Sequence, residues 1–229
     1  MMQRSRQDGD HRVRSETVSS PTTATTPASG RLIYLHGFRS SPQSFKGRLL
    51  RERMAALGRV VDYAAPALPP SPAKAIALVE QRLQPGPADT LVGSSLGGFY
   101  AIWLAERHGC RAVLLNPAVE APRDLATQVG PQTGYHDCEA FEFLPEYVDQ
   151  LQALKVAVLT RVERYFLIAA EGDEVLDWRE MVVFCQGARQ RVLRGGDHGL
   201  SDFADYVDEV LAFAGVPVSE GGRSGSALA

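Results

Sequence analysis

Between residues 31 and 217, short and continuously apolar runs take turns with longer amphipathic ones. RLIYLH (31–36), RVVDYAA (59–65), DTLVGS (89–94), RAVLLN (111–116), RYFLIAA (164–170) and RQRVLRG (189–195) read as strands. Most are apolar throughout rather than alternating, which suits a parallel sheet covered by helices on both faces. The helices announce their starts. Ser41-Pro42 and Ser71-Pro72 each place a capping hydroxyl before a proline at the first helical position. Leu96 to His108 is helical in composition, and residues 201–213 (SDFADYVDEVLAF) gather their apolar positions on one face. Asp177 and Glu180 form a D-x-x-E version of the capping box. Strands alternating with helices predict an α/β fold, with a mainly parallel sheet of about six strands flanked by helices. Residues 117–163 are too long for a simple crossover and predict a short helical insertion.

The ends of the chain lack this patterning. Residues 1–30 are rich in Ser, Thr and Arg and carry no apolar periodicity, so they predict a disordered extension. They have no apolar core of a secretory signal, and Asp8, Asp10 and Glu16 speak against a transit peptide. Residues 218–229 predict a second loose tail, leaving 31–217 as the working domain.

A net charge of −3 over 229 residues argues against nucleic acid as a partner, because no basic excess exists to neutralise phosphates. No apolar run approaches the roughly 18 residues of a membrane span, so no membrane partner is expected. Three cysteines, Cys110, Cys138 and Cys185, stand far apart with no C-x-x-C pair. That pattern suits a reducing compartment such as the cytoplasm. The five histidines show no metal-site spacing, so no metal is expected.

Ligands of a parallel sheet bind at the carboxyl ends of its strands. His36-Gly37-Phe38 follow the first predicted strand and Ser95 the third; Glu171-Gly172-Asp173 follow the fifth and Gly196-Asp197-His198 the sixth. Gly93-Ser94-Ser95-Leu96-Gly97 fits G-x-S-x-G with Ser95 at its centre. In that motif the glycines give the backbone room while the serine is raised on a strained strand-to-helix corner. The bland alternative is a tight turn with a capping serine.

A serine hydroxyl needs a base to take its proton. His198, in a glycine-bounded loop after the last strand, is the best placed. His36 competes for that role, and the plainer reading of His198 is a loop residue capping the last helix, work that Ser201 could also do. His108 lies at the far end of the helix begun by Ser95, about 20 Å away by helical rise. His136 falls in the insertion and His11 in the N-terminal extension. The base in turn needs an acid to hold its tautomer, and Asp173 is preferred over Glu171, Glu174 and Asp177. Asp177 already serves as a cap, and Glu174 reads as solvated. The order Ser, Asp, His is the α/β-hydrolase order. Backbone N–H groups of Leu96 and Phe38 are the candidate oxyanion-hole donors; the alternative for HGF is an ordinary turn with a core phenylalanine.

Several stretches together resemble the small YqiA-like bacterial esterases of the α/β-hydrolase superfamily. They are LIYLHGFRSSPQSFK, ALPPSP, LVGSSLGGFYAIWLAE, LLNPAV, EGDEVLDWRE and GGDHGLSDFADY, spread from Leu32 to about Phe213. The resemblance implies a compact α/β-hydrolase fold, esterase activity and a triad of Ser95, Asp173 and His198. Residues 1–30 have no counterpart in that pattern, and the insertion keeps only a loose likeness.

The expected activity is hydrolysis of short- to medium-chain carboxylic esters through an acyl-enzyme, a mechanism that calls for no cofactor. Its partner would be a small-molecule acyl ester or thioester. An acyl-CoA thioesterase would use the same triad and want a cationic patch, for which Arg39, Lys46 and Arg48 are candidates. Their simpler reading is a solvated helix face. A catalytically silent hydrolase-fold binding protein is the alternative from another class.

Overall fold

The computed structural model describes residues 30–135 and 139–218. Apart from Gly30 and Val218, the two expected loose ends lie outside the described residues, as do His11, His136 and Cys138. The chain begins β1 (Leu32–Leu35), α1 (Phe45–Ala56), β2 (Tyr63–Ala64), α2 (Pro72–Arg82), β3 (Thr90–Ser94), α3 (Leu96–His108) and β4 (Arg111–Leu115). It continues α4 (Ala121–Leu125), β5 (Gly130–Thr133), β6 (Ala140–Phe143), α5 (Pro145–Leu154), β7 (Tyr165–Ala170), α6 (Trp178–Phe184), β8 (Arg189–Leu193) and α7 (Val207–Phe213).

Six strands form one sheet in the order β2-β1-β3-β4-β7-β8, with every pairing parallel. Because side chains alternate across a strand, each apolar run feeds two cores. Ile33, Leu35, Leu91, Leu114 and Leu167 pack with residues of α2, α3 and α6. Leu32, Tyr34, Val92, Val113, Phe166 and Ile168 pack on the other side with α1 and α7. Leu50 and Met54 of α1 are wholly buried there, and each such burial contributes roughly 1.5–3 kcal/mol. Strand order reverses between β1 and β3, and a crevice opens beyond the carboxyl ends of such a pair.

Four local expectations shift. Helix α1 starts at Phe45, not after Pro42: Ser44 is its cap, accepting from the Gly47 N–H at 3.3 Å. Ser41 instead holds a turn, taking the Gln43 N–H at 3.1 Å. Strand β2 keeps only Tyr63 and Ala64, because Val60–Asp62 form a 3₁₀ turn braced by an Arg59–Asp62 ion pair of 2.8 Å. The last helix spans only Val207–Phe213, after a 3₁₀ turn at Phe203–Asp205 that buries Phe203. The insertion is helical at α4 and α5 but also carries an antiparallel hairpin, β5–β6. Elsewhere the caps match their sequence signals. Ser71 caps α2 and Asp177 caps α6, while Glu180 reaches across to Arg123 of α4 at 2.7 Å.

Among the described residues no helix is long and apolar enough to cross a membrane. Cys110 and Cys185 are buried free thiols, and burial pushes both up, to about 11 and about 12.

Candidate active site

Ser95 stands between β3 and α3 with φ 54° and ψ −120°, a conformation that disfavours any side chain. Its neighbours hold it there. The Ser95 N–H donates to the Leu115 carbonyl at 3.0 Å, and its carbonyl accepts from Gly98 at 2.9 Å and Ala118 at 3.1 Å. The two motif glycines are required by close approach. A Cβ on Gly97 would overlap the Leu35 carbonyl, and one on Gly93 would overlap the Gly97 carbonyl. Ser95 Oγ makes no cap bond to α3, so the helix N-terminus is not its structural employment.

Beyond β7 and β8 the other two candidates meet. His198 Nδ1 lies 2.8 Å from Asp173 Oδ2 and 3.0 Å from Oδ1. Asp173 Oδ1 also accepts the N–H groups of Val175 and Leu176, each at 2.8 Å. Its side chain is fully buried, whereas that of His198 keeps 21% exposure. A carboxylate so placed holds the imidazole proton on Nδ1 and leaves Nε2 as an acceptor. Ser95 and His198 line one cavity of about 970 Å³. Among the described residues no hydrogen bond yet joins the serine hydroxyl to the ring, a contact that often tightens only with substrate.

The rival residues are occupied. His36 is buried, its Nε2 accepting the Leu68 N–H at 3.0 Å, so its Nδ1 carries the proton toward the Gly37 carbonyl at 3.0 Å. It braces the turn after β1. His108 pairs with Glu80 at 2.9 Å at the far end of α3. Glu174 is not merely solvated: its Oε2 accepts the backbone N–H of His198 at 2.9 Å. Only Asp173 among the four acids reaches the ring. Ser201 binds Asp197 rather than capping α7.

Phe38 and Leu96 both border the cavity, and among the described residues neither backbone N–H has a protein acceptor. The Phe38 ring is clamped edge-on by Phe141 and Phe143, at 5.9 and 5.1 Å between centroids. The hairpin thereby fixes the turn that carries the Phe38 amide. A Cβ on Gly37 would lie 3.1 Å from Ser95 Cβ, so this turn and the serine corner are in direct apposition. The insertion also shapes the cavity, through Arg123, Leu125, Gln128 and Tyr135.

The family described as "Uncharacterised protein family (UPF0227)" matches residues 31–215. The chain belongs to this family. It is the family of the YqiA-like proteins that its motifs resemble. Solved structures share the architecture of this UPF0227 chain. A protein of Agrobacterium vitis S4 is 18% identical, with a TM-score of 0.62 over 81% of this chain and 88% of its own. Mouse alpha/beta hydrolase domain-containing protein 10 is 14% identical, with a TM-score of 0.58 over 79% and 89%. Est1E from Butyrivibrio proteoclasticus, solved with ferulic acid, is 16% identical, with a TM-score of 0.58 over 87% and 94%. The fold is that of the α/β-hydrolases.

Two further residues of the UPF0227 chain hold the histidine loop. Asn116, directly after β4, is fully buried. Its Nδ2 donates to the carbonyls of Asp197 and His198 at 3.0 and 3.1 Å, and its Oδ1 accepts from Ala170 at 2.9 Å. The strand-end rule that singles out Ser95 points equally to Asn116. Lys46 donates from Nζ to the Gly199 carbonyl at 2.5 Å. It is not on a solvated helix face but buried, with 8% exposure, and it lines the cavity. Burial pulls its ammonium down to about 8, against the charges of Asp197 and Asp173. Arg39 also lines the cavity; Arg48 does not.

Replacing Asn116 by Ala would strand two carbonyls and one N–H in the interior of the UPF0227 fold. The expected loss is about 2–4 kcal/mol of stability, read as a lower urea midpoint at unchanged slope.

Proposed function

We propose that this protein is a serine esterase that hydrolyses carboxylic esters, of short to medium acyl chain, through an acyl-enzyme. The observation that carries the reading is His198, held by the buried Asp173, lining the cavity that also holds the strained Ser95 corner. His198 Nε2 takes the Ser95 proton as Oγ attacks the ester carbonyl. The oxyanion is received by the N–H groups of Phe38 and Leu96, and each such donor is worth about 3–4 kcal/mol in the transition state. Collapse of the tetrahedral intermediate breaks the C–O bond to the alcohol, which leaves with the proton from His198. Water, deprotonated by the same ring, attacks the acyl-enzyme and releases the acid and Ser95. The fold it shares with Est1E supports the assignment to this class.

A cationic rim would have favoured an acyl-CoA substrate. Of the three basic candidates only Arg39 both lines the cavity and keeps solvent access, since Lys46 is buried. The ester reading is therefore the better supported.

Intact-mass analysis after fluorophosphonate treatment tests the proposal without needing the right acyl chain. One adduct is expected on the wild type, absent from Ser95→Ala and formed much more slowly on His198→Ala. A folded wild-type protein that takes no label would instead favour a ligand-binding protein on a hydrolase fold.

A further inference from the structure

Beside Ser95 the cavity has a wall that is polar and yet buried. Tyr34, Ser44, Lys46 and Ser94 all line the cavity, and each is buried. The Tyr34 hydroxyl lies 2.9 Å from Ser44 Oγ. Burial holds that phenol protonated, up at about 12, while hydrogen bonding to Ser44 and Ser94 works in the opposite direction. Lys46 commits one N–H to Gly199. An ammonium has three, and among the described residues the other two meet no acceptor.

Among the described residues no carboxylate pairs with Lys46 either. The acids whose charge it feels are Asp197 and Asp173, and both are spent elsewhere. Asp197 holds Ser201, and Asp173 holds His198, Val175 and Leu176. Among the described residues the one acid lining the cavity, Asp124, is paired with Arg123 at 2.8 Å. A buried cation without a counter-ion is costly to fold around, and such groups concentrate where a ligand supplies the missing charge. Arg39 adds a second positive charge to the same cavity.

We propose that Lys46, with Ser44 and Tyr34 beside it, binds a carboxylate carried by the ester substrate, so that the substrates are esters bearing a free acid group. This rests on Ser95 being the nucleophile, as read above. The acid belongs on the acyl part. That part stays bonded to Ser95 through both half-reactions, while the alcohol must leave; a buried anchor suits the portion that is retained.

The experiment compares mono-p-nitrophenyl glutarate with p-nitrophenyl valerate, which differ by a terminal carboxylate in place of a methyl. In the full chain, kcat/KM for the glutarate half-ester should exceed that for the valerate by about tenfold or more. In Lys46→Met the ratio should fall to about one, a comparison that cancels any general damage to the histidine loop. If that variant does not fold, Ser44→Ala should reduce the same ratio. Active wild type with no preference for the half-ester overturns the proposal and leaves the esterase standing. A gain confined to the valerate ester of 4-hydroxybenzoate, measured against phenyl valerate, overturns the acyl-side placement. Calorimetry on Ser95→Ala reads the wall without catalysis: monomethyl glutarate should bind about tenfold tighter than methyl valerate, and equal binding overturns the proposal. Should neither nitrophenyl ester turn over and fluorophosphonate fail to label, the esterase reading falls, while the calorimetric difference still decides whether the wall binds carboxylates.

Discussion

Ser95→Gly is expected to abolish ester hydrolysis, lowering kcat by about six orders of magnitude, and at the same time to make the protein more stable. The two effects have one cause. At φ 54° and ψ −120° the Ser95 Cβ crowds its own backbone, and a conformation of this kind costs about 1–3 kcal/mol. The cost is met by the bonds that hold the corner, from the Ser95 N–H to Leu115 and from Gly98 and Ala118 to the Ser95 carbonyl. Glycine adopts the same angles freely but brings extra entropy to the unfolded chain, which returns about 0.5–1 kcal/mol. The net gain should be about 1 kcal/mol, a rise in Tm of about 2–4 °C for a domain of this size. Ser95→Ala loses the same activity while keeping the Cβ, so it should show no such rise. Calorimetric melts of the three proteins beside their nitrophenyl ester rates separate the claims. A Ser95→Gly protein that still hydrolyses would move the nucleophile elsewhere; one that melts lower than Ser95→Ala would mean that no strain is held at this corner.

That corner was legible in the sequence because its signature is compact. Continuous apolar runs announce buried parallel strands, and the glycines two residues either side of Ser95 mark where backbone comes close, Gly93 to Gly97 and Gly97 to Leu35 of β1. The His198–Asp173 pair was legible for a related reason: both residues directly follow strands that read clearly, and strand ends of a parallel sheet converge on one edge. Where the reading misplaced something, a distant partner decides. Ser41 and Ser44 offer the same capping hydroxyl, and the contact of Ser44 with Tyr34 lies ten residues back in the chain. Lys46 shares its helix with Arg48, Arg51 and Arg53, which makes a solvated face the natural reading. Its partner is the carbonyl of Gly199, 153 residues on. The β5–β6 hairpin is similar, since the alternation in β6 is only four residues long and Phe143 is held inward by Phe38, 105 residues back in the chain. Glu174 looked idle because the group it holds is the backbone of His198, which no residue-type rule reports.

Asp173→Asn should lower kcat by about four orders of magnitude while leaving the fold intact. The substitution changes one atom's role. The carbonyl oxygen of the new amide can still accept the N–H groups of Val175 and Leu176, which now bind Oδ1. The amide NH₂ must then take the place of Oδ2, 2.8 Å from His198 Nδ1. An amide N–H donates, so Nδ1 has to accept, and the imidazole proton moves to Nε2. A ring protonated at Nε2 cannot receive the proton of Ser95, however well it is placed. Fluorophosphonate labelling should slow in parallel with ester hydrolysis, because both need that acceptor. Glu174→Gln is the informative partner, since its amide oxygen can keep the bond to the His198 N–H, while the hydrogen bonds of the ring go to Asp173. Its effect should stay within about tenfold, the scale of a modest shift in positioning. If the ranking reversed, with Asp173→Asn near wild type and Glu174→Gln nearly inactive, the acid that orients the base would be Glu174, and the His198 loop would have to turn over to reach it.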